Sequence, residues 1–523
     1  MRLAAKGQET IMNSAVPAGI DPPKTRMQRI LDKVEAVGNR VPHPVVIFLI
    51  LIGFVIVLSH LLYIFGVRVT YQVYDTASGD IVQSSATARS LLTADGIRFM
   101  FTGIVGNFMG FNAVGVIIVA MVGVGVAESA GLISALIRKL VIKAPRSALI
   151  YILVFVGIIS SIAADAGYLV LIPLAAAAFM SIGRHPLAGL AAAFAAVASA
   201  FTVNVMIVPV DGILTEVTND AIRLLAPNQS ISLTANLWFS IASVVMLTVV
   251  VALVTERIVE PRLGPYTGGE TVEGGSTLSP EEKRGLRNAG YALLGVIAFV
   301  TLLTLPSGAP LRDPATGSIA PLMNSLIVVI ALIFLATGIA YGIGAGTVNS
   351  SIDVINAVQK AIASLSGLIF LLLVISQFLA YFNYTNMATL AAVSLADILQ
   401  RANLDALWLL IGFIFVVLLL DMIITGAIPK WAIFAPIFVP LLMKLNVSPE
   451  AVLAAYRVGD SPMNSITPLN AYFAMIVTFA QRYQKDAGVG TVIALMLPYV
   501  VIMIVTWTLL FALWHILGLP WGV

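Results

Sequence analysis

Apolar runs of about 20 residues recur along almost the whole chain, and no other feature restricts its fold as much. Wound as an α-helix, a run of that length matches the ~30 Å hydrocarbon core of a bilayer. Inside hydrocarbon every backbone N–H and C=O must find a partner within the protein, so an all-α solution follows. Of the 523 residues, 59% are hydrophobic and 11% are charged, with a mean hydropathy of +1.00. Soluble domains carry about 25% charged residues. The chain reads as a polytopic membrane protein.

Several chemistries are absent from the start. There is no cysteine, which removes disulfides, iron–sulfur clusters and thiolate metal sites. The four histidines, His43, His60, His185 and His515, form no ligand spacing. No GxxxxGKS/T loop occurs, which argues against direct use of ATP, and nothing points to nucleic acid. An intramembrane enzyme would need a Ser–His or paired-Asp arrangement, and no histidine lies near the polar breaks. The expectation is no enzyme and no cofactor, with a sodium ion or a proton as the coupling ion.

Nine spans are expected, near 44–66, 98–126, 186–209, 234–256, 289–306, 321–343, 363–381, 449–482 and 491–518. Residues 1–43 are polar, lack the apolar core of a signal peptide, and read as a cytoplasmic tail. Two further pieces, 147–183 and 405–444, each read as helix, polar break, helix. With the N-terminus inside, most of the 29 Lys and Arg fall on the cytoplasmic side. They include the tail, "RKLVIKAPR" at 138–146, "GRH" at 183–185 and the loop around 255–287. The expected orientation is N-terminus cytoplasmic, C-terminus outside.

The first helix pair starts after Arg146 and ends at Arg184, both inside. The second runs from Asp405 to Lys444, both outside. Its return arm, Trp431 to Lys444, is 14 residues, about 21 Å at 1.5 Å per residue, too short to cross. A re-entrant hairpin follows. For the first pair, two ordinary spans remain the alternative.

"HPLAGLAAAF" (185–194) and "SPEAVLAAYR" (448–457) match at an offset of 263, which also carries Pro173 to Pro436. Five spans lie between the two helix pairs, an odd number, so the copies are inverted. Inverted repeats with interrupted helices, here about 98–210 and 363–482, are the architecture of secondary transporters. The hairpin tips are then "SSIAADAG" (160–167) and "ITGAIPK" (424–430). Ser161 and Asp165 lie in the first tip. The first broken span passes through Thr202 and Asn204, matched by Ser465 and Thr467 in the second. Small hydroxyl and amide side chains beside unwound backbone suit a bare cation or a carboxylate.

The second broken span contains "AAYRVGDSPMNSITPLNAY". Arg457 and Asp460 would each cost about 2.5–3.5 kcal/mol at a bilayer centre. Arg457, Asp460, Asn464 and Thr467 fall on one helical face, and Pro462 and Pro468 free carbonyls one turn earlier. Arg457 could meet a substrate carboxylate with two parallel donors, while Asp460 serves an ion or proton. An internal Arg457–Asp460 pair that only pins the helix is the alternative. Asp421 and Lys430 could pair across the second hairpin. Trp431 could stack on an aromatic ligand or sit in the core. Asp211 could line a vestibule or cap the next segment.

"SSIAADAGYLVLIPL", "GRHPLAGLAAAFA", "KWAIFAPIFVPLL", "AAYRVGDSPMNSITP" and "KDAGVGTVIALMLPY" resemble the p-aminobenzoyl-glutamate transporter (AbgT) family, as does "GVGVAESAGLISALI". The resemblance runs from about residue 40 onward. It implies a homodimer in the bacterial inner membrane, with nine spans and two hairpins per subunit. It also implies transport of p-aminobenzoyl-glutamate or, in some members, export of sulfonamide antimetabolites. The substrate pocket it implies comprises Asp211, Trp431, Pro449, Arg457 and Asp460, plus the position of Asp421. This chain departs where relatives have Asn at Asp421 and a Gly-Ser-rich tip, and where "VASAF" replaces a Gly-Gly pair. A dicarboxylate carrier of related fold is the nearest rival. An ion channel is disfavoured by the repeat and the absence of a filter motif.

Overall fold

The computed structural model describes residue 42 and residues 44–74, 81–142, 144–146, 148–162, 167–266, 278–401, 405–422, 426–467 and 469–523. Asp165, Pro468, most of the tail and parts of both hairpin tips lie outside them. The chain is a multi-pass helical membrane protein. In order, its principal helices are α1 (Pro44–Ile64), α2 (Ala94–Met109), α3 (Asn112–Ser129), α4 (Leu132–Ile142), α5 (Leu149–Ile159) and α6 (Ile172–Ser181). There follow α7 (Pro186–Ala198), α8 (Pro209–Arg223), α9 (Leu237–Val254), α10 (Pro280–Thr304), α11 (Leu326–Ala345), α12 (Ser351–Ser364) and α13 (Ser366–Tyr384). The last are α14 (Met387–Arg401), α15 (Ala406–Asp421), α16 (Ala427–Lys444), α17 (Pro449–Asp460), α18 (Phe473–Gln481) and α19 (Val489–Ile516).

Among the described residues, eight helices are long and apolar enough to cross a bilayer. Seven coincide with expected spans. The eighth is α16, which is longer than the return arm expected from the sequence. Gly426 at φ +94° turns the chain so that Ala427 to Lys430 wind into the first turn, giving 18 residues instead of 14. At 1.5 Å per residue that is about 27 Å, so shortness gives no case for re-entry. The expected spans at 186–209 and 449–482 are each interrupted. Helix α7 stops at Ala198, and turns and irregular chain follow up to Pro209; α17 stops at Asp460, where Pro462 removes the next donor and a 3₁₀ turn (Pro462–Ser465) takes over.

Lipid-facing positions are apolar, as in Phe101, 79% exposed, and Val105, 72% exposed. The buried centre is built from small residues. All 13 residues of α7 are buried, eight of them alanine or glycine. A Cβ on Gly189 would lie 2.5 Å from the Ala175 carbonyl oxygen of α6, and one on Gly459 2.8 Å from that of Ile414 in α15. Without Gly at these positions the backbones could not approach.

Both helix pairs end in the same way. Gly183 (φ +79°) and Asn446 (φ +60°) take the left-handed cap position. Gly183 N–H donates to Met180 and Arg184 N–H to Phe179; Asn446 N–H donates to Met443 and Val447 N–H to Leu442. Each of these residues maps onto its counterpart at the offset of 263. The next helix then starts with an N-cap acceptor, His185 or Ser448, followed by proline at the first helical position.

Two sets of ion pairs join separate parts of the chain. Arg138 pairs with Glu282, and Arg184 pairs with Glu260 and lies 3.6 Å from Glu256. Elsewhere, the carboxyl-terminal Val523 carbonyl accepts from Thr234 Oγ1 at 2.7 Å. An antiparallel hairpin of β1 (Arg68–Tyr74) and β2 (Ile81–Thr87), in register Arg68↔Thr87, stands between α1 and α2.

Candidate functional site

The two interruptions meet. Ser199 Oγ lies 2.7 Å from Ser465 Oγ and 3.1 Å from the Pro462 carbonyl oxygen. Thr202 Oγ1 lies 2.6 Å from Ser461 Oγ and donates to the Arg457 carbonyl at 3.1 Å. The backbone N–H of Thr202 donates to Ser461 Oγ at 3.2 Å. These are the carbonyls and amides that broken helices leave over, satisfied by hydroxyls from the opposite break. Asn204 ties the first break to the end of α5. Its amide donates to Ile159 O at 3.1 Å and to Ser161 Oγ at 3.0 Å, while its backbone exchanges two bonds with Ser240.

Arg457 is 2% exposed and projects from the last turn of α17. Nη1 donates to Asp211 Oδ1 and to the Thr202 carbonyl, both at 2.6 Å, and Nε donates to Asn236 Oδ1 at 3.2 Å. Asp211 holds two roles at once. Its Oδ2 accepts from Val208 N–H at 2.8 Å, capping α8, while Oδ1 takes the guanidinium. Asn236 donates to the Glu450 carbonyl at 2.9 Å and so links Arg457 to the start of α17, beside Pro449. Arg457 and Asp460 therefore form no pair with each other. Their i,i+3 spacing only suggested one; each finds its partner on another element.

Asp460 pairs instead with Lys430, whose Nζ lies 2.8 Å from Asp460 Oδ1 and also contacts Asp421. All three side chains are fully buried. Tyr456 Oη contacts Asp460 Oδ1 at 2.8 Å and the Ala427 carbonyl. Among the described residues, Asp421 Oδ2 and Asp460 Oδ2 are buried and have no hydrogen-bond partner. Trp431 is fully buried, its indole N–H donating to Leu214 O at 3.1 Å and Thr218 Oγ1 at 3.0 Å, its ring 4.5 Å from that of Tyr456. Asn464 and Thr467 lie beyond the helix end. Asn464 reaches back to the Asp460 carbonyl and Thr467 to that of Met422, both at 3.4 Å.

Two groups thus stand side by side along α17, Arg457–Asp211–Asn236 and Asp460–Lys430–Asp421. The sequence contains no local signal for Asn236, Tyr456 or Ser199 as members. Asn236 precedes an apolar run and reads as a helix cap. A cavity of about 320 Å³, lined by residues including Asn107, Asp220 and Arg223, includes none of the expected site residues. Among the described residues no cluster of three or more His, Cys, Asp or Glu could hold a metal ion.

Residues 29–523 match the "AbgT putative transporter family". The chain belongs to the AbgT family. A curated relative, the p-aminobenzoyl-glutamate transport protein of Escherichia coli (strain K12), is 33% identical over 96% of this chain and 97% of its own length. Two solved AbgT-type structures superpose closely. The YdaH transporter of Alcanivorax borkumensis, described as having an unusual topology, has a TM-score of 0.86 at 40% identity, covering 92% of this chain and all of that one. MtrF of Neisseria gonorrhoeae, described within a class of antimetabolite efflux pumps, has a TM-score of 0.87 at 39% identity, covering 93% of this chain and 97% of its own. These relatives are transport proteins, and a multi-pass membrane transporter is the coarse function of this chain.

Proposed function

We propose that this AbgT-family chain is a secondary carrier of p-aminobenzoyl-glutamate or a related aryl carboxylate, with sulfonamide antimetabolites as an export cargo. A proton or sodium gradient drives it. The observation that carries the reading is the buried Arg457 guanidinium at the crossing of two interrupted helices. The bonds to Asp211, Thr202 and Asn236 use Nη1 and Nε, which leaves Nη2 for a ligand. Asp211 holds one of the donors that a substrate carboxylate would take. An arriving carboxylate meets Nη2, then takes Nη1 from Asp211, and the bidentate geometry suits a planar carboxylate.

The architecture we infer has nine crossings and two re-entrant hairpins in an inverted repeat. The equivalent caps at Gly183 and Asn446 support it. So do the contacts at the breaks, which are symmetric to within one residue. Ser199 meets Ser465, the counterpart of Thr202, while Thr202 meets Ser461, the counterpart of Ala198. A two-fold axis in the membrane plane produces contacts of this kind. We further infer a homodimer in the bacterial inner membrane with a cytoplasmic N-terminus. The basic segments at 138–146, 183–185 and 255–287, which that orientation puts inside, support the cytoplasmic N-terminus.

A dicarboxylate substrate is the second reading, and one observation favours it. Trp431 is fully engaged by Leu214, Thr218 and Tyr456, so a ligand ring can stack on it only after displacing these partners. The test is flux in proteoliposomes of labelled p-aminobenzoyl-glutamate, a sulfonamide and succinate, with sodium and proton gradients imposed separately. Transport of succinate alone would replace the aryl reading with the second.

A further inference from the structure

The Asp421–Lys430–Asp460 cluster has no task in the binding of a carboxylate at Arg457, yet it places three formal charges where exposure is zero. Buried charges are retained at a cost unless they are paired and hydrogen-bonded. Counted as ionised, the three groups sum to one negative charge. The neighbouring Arg457–Asp211 pair is balanced by itself. One positive charge is missing from the cluster.

The contacts of Tyr456 locate the deficit. Tyr456 Oη stands between two acceptors, the Ala427 carbonyl and Asp460 Oδ1, but a phenol carries a single hydrogen. With Asp460 ionised, one of these contacts sets oxygen lone pairs against each other. With a proton on Asp460, its O–H donates to Tyr456 Oη and the Tyr456 O–H donates to Ala427 O, so both contacts become hydrogen bonds. Lys430 still donates to the same carboxyl group. Asp460 Oδ2, left without a partner, is then the oxygen of an uncharged acid and costs less to bury than an oxygen of a carboxylate.

Among the described side chains, the groups around this cluster do not alter the count. Asp421 comes from α15, Lys430 from α16 and Tyr456 from α17 itself. On α8, Asp211 is taken by Arg457. On α19, Tyr499 is turned to Thr255 at 2.7 Å.

We propose that Lys430 is a tethered cation seated between Asp421 and Asp460, which excludes sodium from this position and leaves one exchangeable proton, carried by Asp460 and hydrogen-bonded to Tyr456. The proposal rests on the carrier reading above and narrows its coupling ion at this site to a proton. The step forms and breaks only O–H bonds. The proton enters on Asp460 and leaves from it, and Lys430 keeps its three hydrogens throughout. A sodium ion at the same place would lie beside a fixed ammonium and would repel it.

The test needs no substrate. Infrared difference spectra of the purified full chain should show a carboxylic-acid C=O band at neutral pH that vanishes in Asp460→Asn and persists in Asp421→Asn. Wild-type melting in detergent should be equal in sodium and in choline chloride. In Lys430→Met the seat is open, so sodium should raise the melting temperature and weaken the carboxylic-acid band. If that variant does not fold, Asp421→Asn/Lys430→Met removes one charge of each sign, and a sodium response is again expected. Absence of an Asp460-dependent band, or a sodium response in wild type equal to that of the Lys430 variants, overturns the proposal. Counterflow exchange of labelled p-aminobenzoyl-glutamate, which needs no ion gradient, tests the carrier reading separately.

Discussion

Arg457 and Asp211 lie 246 residues apart in sequence and meet at 2.6 Å across the crossing of the two broken helices. Both are largely shielded, with side chains 3% and 14% exposed. Removing one member of a buried pair leaves the other charge uncompensated, which typically costs about 3–5 kcal/mol. Asp211→Ala should therefore lower thermal stability in detergent markedly, and Asp211→Ala/Arg457→Met should recover much of the loss. Equal losses in the single and double variants would mean that the α8 cap, and not the charge, is what Asp211 contributes.

How far the chain could be read in advance differs sharply between its parts. Long spans announce themselves because bilayer thickness imposes one length and one composition, and seven of them fall where apolar runs predict. The helix pairs and the interruptions were legible for the same reason, since Pro462 and polar clusters stand out against hydrocarbon. Pairing within the site was not. The i,i+3 spacing of Arg457 and Asp460 points inward along one helix, whereas the partners, Asp211 and Lys430, arrive from α8 and α16. No local pattern encodes which distant element will supply a counter-charge. The β1–β2 hairpin leaves no such mark, because its seven-residue strands mix polar and apolar residues and are far shorter than a span.

Close approach at Gly459 gives a second prediction. An added Cβ would stand 2.8 Å from the Ile414 carbonyl oxygen and from Val417 Cβ, and the backbone oxygen cannot swing aside. Gly459→Ala should push α15 and α17 apart and destabilise by about 1–3 kcal/mol, as overpacking does. Because Asp421 and Asp460 sit on these two helices, transport should fall as well. Unchanged melting and flux would show that the contact relaxes without consequence.

The inferred inversion of the two hairpins can be probed with cysteine, since the chain has none of its own. Ser181 and Asn446 are exposed and lie at equivalent ends of the two return helices. In inside-out vesicles, an impermeant maleimide should label Ser181→Cys and spare Asn446→Cys; in right-side-out vesicles the pattern should reverse. Labelling of both from the same face would exclude the inverted arrangement.

The last prediction concerns what Arg457 reads. A carboxylate entering a low-dielectric site is costly unless it is paired, and a guanidinium offers it two parallel donors that an ammonium cannot reproduce. Arg457→Lys retains one charge for Asp211, so the fold should persist. Its flux of p-aminobenzoyl-glutamate should fall at least about tenfold, the equivalent of about 1.4 kcal/mol of lost interaction, within the range for a charged hydrogen bond. Arg457→Ala should reduce it further. A sulfonamide lacks the carboxylate that would displace Asp211 from Nη1, so its transport should change less across the same series. The comparison is made in proteoliposomes, with both ligands measured for wild type, the Lys variant and the Ala variant at equal reconstituted density. Parallel losses for the two ligands would assign Arg457 to holding α8 and α17 together through Asp211, with no part in recognising the cargo.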